Sequence, residues 1–539
     1  MGFVNKIQMY LMERRTGMAK EKKEKLPKEL TTAAWILVVG AIPPMLDSTM
    51  VNIAINKLQS DLHTSLNMIQ WAITGYVLAL AVAVPVCGYL VNKINGKKVL
   101  QWSLIAFGVF SILSGLAWNI DSFIAFRAVQ GFSAGFITLL MTTLLMQITP
   151  PDKLGQLMAV VSTPIILGPI LGPVIGGAIV QYSNWHWIFY VNAPVVVIAV
   201  ALNVWKLRDF KPFNPQAKLD WFGTLLLAGG SIGLIYGMMQ GSENAKNFFN
   251  NQMILFCVIG LGLFVIYGIY NAIRHNNTVL PLRFFKSKHF TAANIGIFLA
   301  GIASNGPMLL LPLFFQNTKG FSVIEAALML VPQGLGMLVA RPTIGRLIDR
   351  LGARPVVLVS LAISLAGTIP FIFVQANTNL VWLGAVLFVR GIGVGGLQMP
   401  MMTDIFIGLD KVDIPGASVG QRIIQNVGSS FGSAVVSAVV TSVILAENIS
   451  SKVSVHAAAY AKQLQTKLVA HAAASHTTPG TSALTDLNNQ VKANATSYGQ
   501  HLMNTAQLNG YQTAFLVCCL VLVAIAIPAL LLSHKKKAA

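Results

Sequence analysis

Charge is what this chain lacks most. Only 10% of its 539 residues are Asp, Glu, Lys or Arg, where a soluble domain carries about 25%. With 55% of residues hydrophobic, the deficit excludes an ordinary soluble protein and puts most of the mass in lipid. Cysteine is scarce too. Cys87, Cys257, Cys518 and Cys519 all fall inside apolar runs, with neither metal-ligand spacing nor a secreted disulfide framework, and read as inert core residues. A Walker-type phosphate loop, zinc spacing and a nucleophile elbow are missing, so no enzyme class, metal or cofactor is called for. Energy for any work then has to come from an ion gradient, worth about 2.3 kcal/mol per proton per 100 mV. No cleavable signal is expected, because the first 30 residues are a charged tail and the first apolar run lacks a small-residue cleavage site. Gly2 is not followed by Ser or Thr at position 6, which argues against myristoylation.

Hydropathy predicts an all-α polytopic membrane protein of fourteen spans. They run at roughly 32–54, 69–91, 99–118, 122–146, 155–181, 186–205, 219–240, 252–273, 290–315, 324–344, 355–375, 380–404, 417–446 and 511–533. The net charge of +20 is not a nucleic-acid footprint. With the N-terminus in the cytoplasm, nearly all basic residues fall inside, from the tail (Lys6 to Lys28) through Lys93, Lys97, Lys98, Arg346, Arg350 and Arg354 to Lys535–Lys537. Only Lys57, Lys246, Lys319, Lys452, Lys462, Lys467 and Lys492 remain outside. This is the positive-inside bias, and it places both termini in the cytoplasm.

The chain repeats itself. GYLVNKINGKK, Gly88 to Lys98, and GRLIDRLGAR, Gly345 to Arg354, are both helix ends followed by a short basic turn. RAVQGFSAG from Arg127 and RGIGVGG from Arg390 form a second pair. Both pairs lie eight spans apart, so two spans have been inserted between halves of six. Two six-helix bundles about a midplane cavity are an alternating-access architecture. The expected organisation is a tail at 1–31, a first bundle at 32–205, two inserted helices (219–240 and 252–273) with linkers within 206–289, a second bundle at 290–534 and a tail at 535–539. The second bundle includes an extracellular segment, 447–510, expected to form a helical hairpin from stretches at about 452–473 and 483–506 about HTTPGTS, His476 to Ser482, or else a mobile linker.

Span five contains GPILGPVIGG, Gly168 to Gly177. Pro164, Pro169 and Pro173 remove helix N–H donors and bend the helix. Gly168, Gly172 and Gly176 recur every fourth residue as a smooth stripe on which a neighbouring backbone can approach. Such a helix is expected to let one bundle rock on the other.

These motifs together resemble the major facilitator superfamily, in its fourteen-helix drug:proton antiporter branch (EmrB/QacA type). LDSTMVNIAI from Leu46 resembles the motif ending helix one, and the decamer with Gly177 resembles the antiporter motif of helix five. NWHWIFYVNAP from Asn184, LDWFGTLLL from Leu219 and LPLFFQNTKGFSVIEAALMLVPQGLG from Leu311 follow in the family's order. The resemblance implies the major facilitator fold and a monomer in a bacterial cell membrane. It implies proton-coupled export of lipophilic, chiefly cationic, drugs or toxic compounds, with protons, small lipophilic substrates and membrane lipids as partners. Export of a specific lipid or metabolite is the alternative. A transport-inactive sensor or scaffold is disfavoured by the intact helix-five motif and Asp47. The loop motifs correspond to Gly88, Asn92, Lys93 and Lys97, and to Gly345, Asp349, Arg350 and Gly352. The first copy departs from the family at Asn92, where Asp is usual, and at Asn95 and Gly96, where Gly and Arg are usual. In the family that carboxylate latches the cytoplasmic side, so the first-half latch is expected to be weaker.

Asp47 is the acidic residue set most clearly within a span, and it is expected to face a wet cavity and carry the proton. Arg127 matches the family's helix-four arginine, which tunes that protonation. Asp404 reads as a loop anchor and Arg390 as a structural repeat partner of Arg127. Trp71, Tyr76, Asn305, Gln398, Met399, Gln425 and Asn426 are polar, aromatic or flexible residues on helices expected to line the substrate cleft, with ordinary packing the alternative for each.

Overall fold

A computed structural model describes residues 27–534 except 151–152, 162, 219, 244–246 and 475–480. The first 26 residues with Gly2, most of the HTTPGTS turn and Lys535–Lys537 therefore lie outside the described residues. All regular structure among the described residues is helical. The first half comprises α1 (Lys28–Met50), α2 (Ile55–Asp61), α3 (Leu66–Lys93), α4 (Gly96–Gly115), α5 (Ile120–Ile148), α6 (Leu154–Val161), α7 (Thr163–Tyr182), α8 (His186–Tyr190) and α9 (Asn192–Lys206). Then come α10 (Trp221–Glu243) and α11 (Asn251–Ile273). The second half comprises α12 (Lys288–Lys319), α13 (Val323–Leu328), α14 (Val331–Leu351), α15 (Ala353–Thr368), α16 (Leu380–Gly395), α17 (Gln398–Asp404) and α18 (Ile414–Ala446), followed by α19 (Ile449–Ala474) and α20 (Thr481–Ala529).

Thirteen helices among the described residues are long and apolar enough to cross a membrane. The fifth expected span falls on α6 and α7, which stand on either side of residue 162, outside the described residues. Polar residues start these helices. Ser65 and Ser287 cap α3 and α12, and Asn119 with Ser122 and Ser322 with Glu325 form reciprocal capping boxes. Gly320, at φ 72°, ends α12 in the left-handed region.

The expected inserted helices pack on each other and, through α10, on both halves. Helix α10 lies against α3 of the first half and α18 of the second, and α11 packs on the far side of α10. Small residues make the second contact close: a Cβ on Gly233 would stand 2.7 Å from Gly260 Cα. Trp71 stacks on Tyr236 of α10 with ring centroids 5.5 Å apart.

The segment after α18 forms two packed helical arms, as the expected hairpin requires. Its second arm is continuous with the last span, so α20 is one helix of 49 residues. At 1.5 Å per residue it is roughly 73 Å long, more than twice the hydrocarbon thickness of about 30 Å. Helix α19 packs back on α20. His456 stacks on Tyr498 at 3.8 Å, and His456 Nε2 lies 2.9 Å from Asn494 Oδ1.

Candidate functional site

Asp47 and Arg127 form a buried ion pair in the first half. Arg127 Nη1 on α5 donates to Asp47 Oδ2 on α1 at 2.5 Å, and the side chains are 1% and 0% exposed. The pair sits in a shell of neutral donors. Gln130 Nε2 and Asn192 Nδ2 each donate to Asp47 Oδ1 at 3.2 Å. Asn192 also reaches Ser111 Oγ at 3.1 Å. Gln130 Oε1 accepts from Arg127 Nη1 at 2.7 Å. The guanidinium lies 4.2 Å over the Tyr76 ring, a cation–π contact, and Tyr76 donates to Pro44 O at 3.3 Å. Five helices of one bundle thus converge on one carboxylate. The expected exposure of Asp47 to a cavity is corrected: the carboxylate is enclosed, and Arg127 supplies the compensation that a buried charge requires.

The helix-five stripe lies directly on this site. A Cβ on Gly168 would stand 2.7 Å from Met45 O, on Gly172 1.9 Å from Thr49 Oγ1, and on Gly176 3.2 Å from Met50 Cα. The glycines therefore seat α7 on the turns of α1 that bracket Asp47. This corrects the expectation of a rocking surface between bundles, because both helices belong to the first half. Contact with the second half comes from Gly177, whose added Cβ would lie 2.8 Å from Ile324 Cγ1. Pro164, Pro169 and Pro173 all lie within α7; the side chains of the first two are outside the described set.

The two loop motifs lie at one end of the molecule and join the halves there. Gly88 lets α3 meet α18, where a Cβ would stand 2.3 Å from Val419 Cγ2. Gly345 lets α14 meet α6, where a Cβ would stand 2.8 Å from Gly155 O. Asp349 caps α6 across that seam, accepting from Gly155 N at 2.7 Å and Gln156 N at 3.1 Å. Asn92, its repeat mate, turns back instead. Its Nδ2 donates to Gly88 O at 3.1 Å, and its Oδ1 is buried without a partner. Lys93 and Arg350 occupy the last turns of α3 and α14, where a cation favours the helix dipole. Lys97 Nζ reaches Val204 O at 3.2 Å. Gly352 takes φ 82°, whereas Asn95 has φ −55° and caps α4 through Lys97 N.

The register of the second motif pair is also corrected. A Cβ on Gly131 would meet Tyr76 O at 2.2 Å, and one on Gly391 would meet Gln333 O at 2.0 Å. Gly135 faces Leu80 as Gly395 faces Met337. Gly131 therefore corresponds to Gly391, Gln130 to Arg390 and Arg127 to the buried Leu387. Arg390 is not the counterpart of Arg127, and its Nη1 donates to Gln333 Oε1 at 2.7 Å.

Asp404 binds the chain just beyond the last helix. It accepts from Ser533 Oγ and from Ser533 N at 3.2 Å, with His289 Nδ1 3.2 Å away. The expected cavity residues are spread over several contacts. Tyr76 and Met399 are each 2% exposed, Tyr76 under Arg127, and Trp71 belongs to the contact with α10. Asn305 bonds Ser429 Oγ at 2.8 Å, within the second half. Gln425 Oε1 accepts from Arg422 Nη1 at 3.1 Å, and its Nε2 donates to Gln398 Oε1 at 3.5 Å. Asn426 O accepts from Ser430 Oγ at 3.1 Å. Sequence reading passed over Gln130, Asn192 and Thr49, although all three stand inside the quoted motifs. Arg341 stands outside those motifs, and its signal is a charge within the tenth expected span.

The sequence profile of the Major Facilitator Superfamily matches residues 37–433. A multidrug resistance protein B homolog of Mycobacterium tuberculosis (strain ATCC 25618 / H37Rv) is 30% identical over 380 residues, 70% of each chain. Multidrug export protein EmrB of Escherichia coli (strain K12) is 31% identical over 321 residues, 60% of this chain and 62% of that one. A crystal structure of the human organic anion transporter MFSD10 superposes with a TM-score of 0.55, covering 92% of this chain and 100% of the other. At 12% identity that likeness is one of fold.

Proposed function

Because the chain belongs to the major facilitator superfamily, we propose that it exports lipophilic, chiefly cationic, compounds in exchange for protons. It works by alternating access, as a monomer in a cell membrane with both termini cytoplasmic. The relatives named for multidrug resistance and multidrug export support the cargo class, and the basic bias of the loop-motif end supports the orientation.

The observation that carries the coupling is the Asp47–Arg127 pair, fully enclosed at 2.5 Å. A carboxylate so buried cannot stand alone, because an uncompensated charge there costs several kcal/mol. It can be neutralised by Arg127, by a proton or by a cationic substrate. Protonation releases Arg127, and loss of the proton frees the carboxylate for a cation or for Arg127 again. Proton and cation occupy the same charge in turn, which makes their exchange obligatory. Seating α7 on the same turns of α1 couples the state of Asp47 to a helix that touches the second half at Ile324.

The test is Asp47→Asn in everted membrane vesicles. The amide keeps the size of the side chain, and its oxygen can still accept from Arg127, but it does not titrate. Expression is expected to be normal, with substrate-induced proton release abolished. Wild-type coupling in this variant would move the proton site elsewhere, with Asp404 the next residue to test.

A further inference from the structure

Two grooves open on the flanks of the molecule, one in each half. The first, of about 430 Å³, is lined on α1 and α9 by Lys28, Trp35, Ile36, Val39, Leu202 and Lys206. The second, of about 280 Å³, is lined on α12, its approach and α20 by Lys286, Lys288, Ala292, Ile295, Ile527 and Pro528. Each has an apolar floor and two lysines. Both lie at the end that carries the loop motifs. Lys97 of the first motif reaches Val204 O, two residues before Lys206, and Arg354 N of the second donates to Ser533 O just past α20 at 2.9 Å.

The grooves are copies of one another. Helices α1 and α9 are the first and sixth spans of the first bundle and pack together, and α12 and α20 hold the same places in the second. Adding 260 to Lys28, Thr31 and Trp35 gives Lys288, Thr291 and Ile295. The same interval carries Gly131 to Gly391, whose backbone contacts fix the repeat. Thr31 and Thr291 both line their grooves. Both hydroxyls donate to the backbone of the segment before the helix, Thr31 to Pro27 O at 3.2 Å and Thr291 to Phe285 O at 2.6 Å. The second lysine has a different source in each half, Lys206 at the end of α9 and Lys286 on the approach to α12. The pair of charges is kept although its source changes.

Lys28 and Lys288 do not serve their helices. Each is the first residue of one, where a cation opposes the helix dipole. Glu29 stands beside Lys28 but does not line the groove. Among the described residues none of the four lysines pairs with a carboxylate, whereas their neighbour Arg283 is held by Asp413 at 2.7 Å. Two unneutralised cations beside an apolar floor fit a ligand that is anionic at one end and hydrocarbon at the other. The floors are open on the outer face of the spans, with Trp35 49%, Ile295 48% and Ile527 72% exposed. Such a ligand therefore arrives along the bilayer rather than from water.

We propose that each groove binds one anionic phospholipid, its phosphate held by the paired lysines and an acyl chain laid along the apolar floor. Basic pockets between spans at the cytoplasmic face suit acidic headgroups, and the positive-inside bias puts the loop-motif end there. The sites rest on that orientation and not on what the protein exports. A lipid so held straddles the first and sixth spans of one bundle. It clamps each half internally and leaves the seam between the halves free to open.

The test is native mass spectrometry of the full chain in nonionic detergent, titrated with phosphatidylglycerol or with phosphatidylcholine of the same chains. The wild type should retain two phosphatidylglycerol molecules, each at least tenfold tighter than phosphatidylcholine. Lys28→Gln with Lys206→Gln should leave one, as should Lys286→Gln with Lys288→Gln. All four changes together should leave neither, with phosphatidylcholine binding within twofold of the wild type. Lys286→Arg with Lys288→Arg should keep the second lipid. The control is Lys98→Gln with Lys411→Gln, two exposed lysines at the same end outside both grooves, which should retain both lipids. A wild type without headgroup preference, or equal loss in the control, would overturn the sites by reducing the lysines to a diffuse basic surface. Competition by free glycerol 3-phosphate would assign the charge to a soluble anion and overturn the lipid. Tm without added lipid should be unchanged in every variant, and each two-residue variant is decisive for its own groove even where the fourfold one fails to fold. In detergent there is neither a gradient nor a sidedness, so the outcome is independent of whether the protein exports cations or Asp47 couples protons.

Discussion

Thr49 fills the space that Gly172 leaves empty. A Cβ on Gly172 would stand 1.9 Å from Thr49 Oγ1, and that hydroxyl donates to Gly168 O at 3.0 Å. Stripe and carboxylate are therefore one packed unit, since Thr49 and Asp47 share a helix end. Gly172→Leu should block transport by driving α7 off α1, at an overpacking cost of about 1–3 kcal/mol. Leu171→Val should be nearly silent, because Leu171 is 37% exposed. Gly172→Ala should be impaired as well, and combining it with Thr49→Ala should recover part of the loss by removing the hydroxyl. Efflux and thermal unfolding measured on all four would check this. Equal activity of Gly172→Leu and Leu171→Val would reduce the stripe to passive packing.

Arg127→Gln should be the most damaging single change at the charge cluster. It strips Asp47 of its cation while the carboxylate stays enclosed, a loss of about 3–5 kcal/mol. Asp47→Asn is milder, because an amide oxygen remains to accept from Arg127. The double variant Asp47→Asn with Arg127→Gln should regain most of the stability lost by Arg127→Gln, since no buried charge is left. Thermal unfolding in detergent measures the cycle. Strictly additive losses would mean that the two residues do not act as a pair.

Fourteen apolar runs, two loop motifs and the glycine decamer made the fold class legible from sequence, because lipid forces a nearly continuous pattern on each span. Asp47 and Arg127 stood out for the same reason: charge in a span is costly. Their pairing was not legible. It depends on rotation of α1 and α5 about their axes, which the weak amphipathic pattern of buried membrane helices does not fix. The stripe misled for a related reason. Glycine spacing gives the face of a helix but not the neighbour that fills it, and Met45 to Met50 of the same bundle fill it. The motif starting at Arg390 was placed three residues out of register, because the arginine is the more conspicuous letter while the glycines at 391 and 395 make the backbone contacts. The length of α20 was not legible, because a polar helical arm and the apolar span after it carry no mark of whether the chain bends between them.

The loop-motif end should be held unequally by its two copies. Asp349 accepts two α6 N–H groups, at 2.7 and 3.1 Å, while Asn92 gives one bond to its own helix. A carboxylate at a helix start combines capping with the dipole term, and Asp349→Asn should forfeit about 1 kcal/mol of it. That amounts to roughly fivefold in the opening equilibrium of α6. Hydrogen exchange at Leu154–Val161 should report faster opening in Asp349→Asn at unchanged global stability. Asn92→Ala should leave the same amides untouched, because its side chain makes no bond across the seam. If the two variants exchange α6 at the same rate, the latch does not reside in Asp349. If only Asp349→Asn loosens it, the second-half loop holds this end closed, and the loss of a carboxylate at Asn92 has left one seam to act as the hinge.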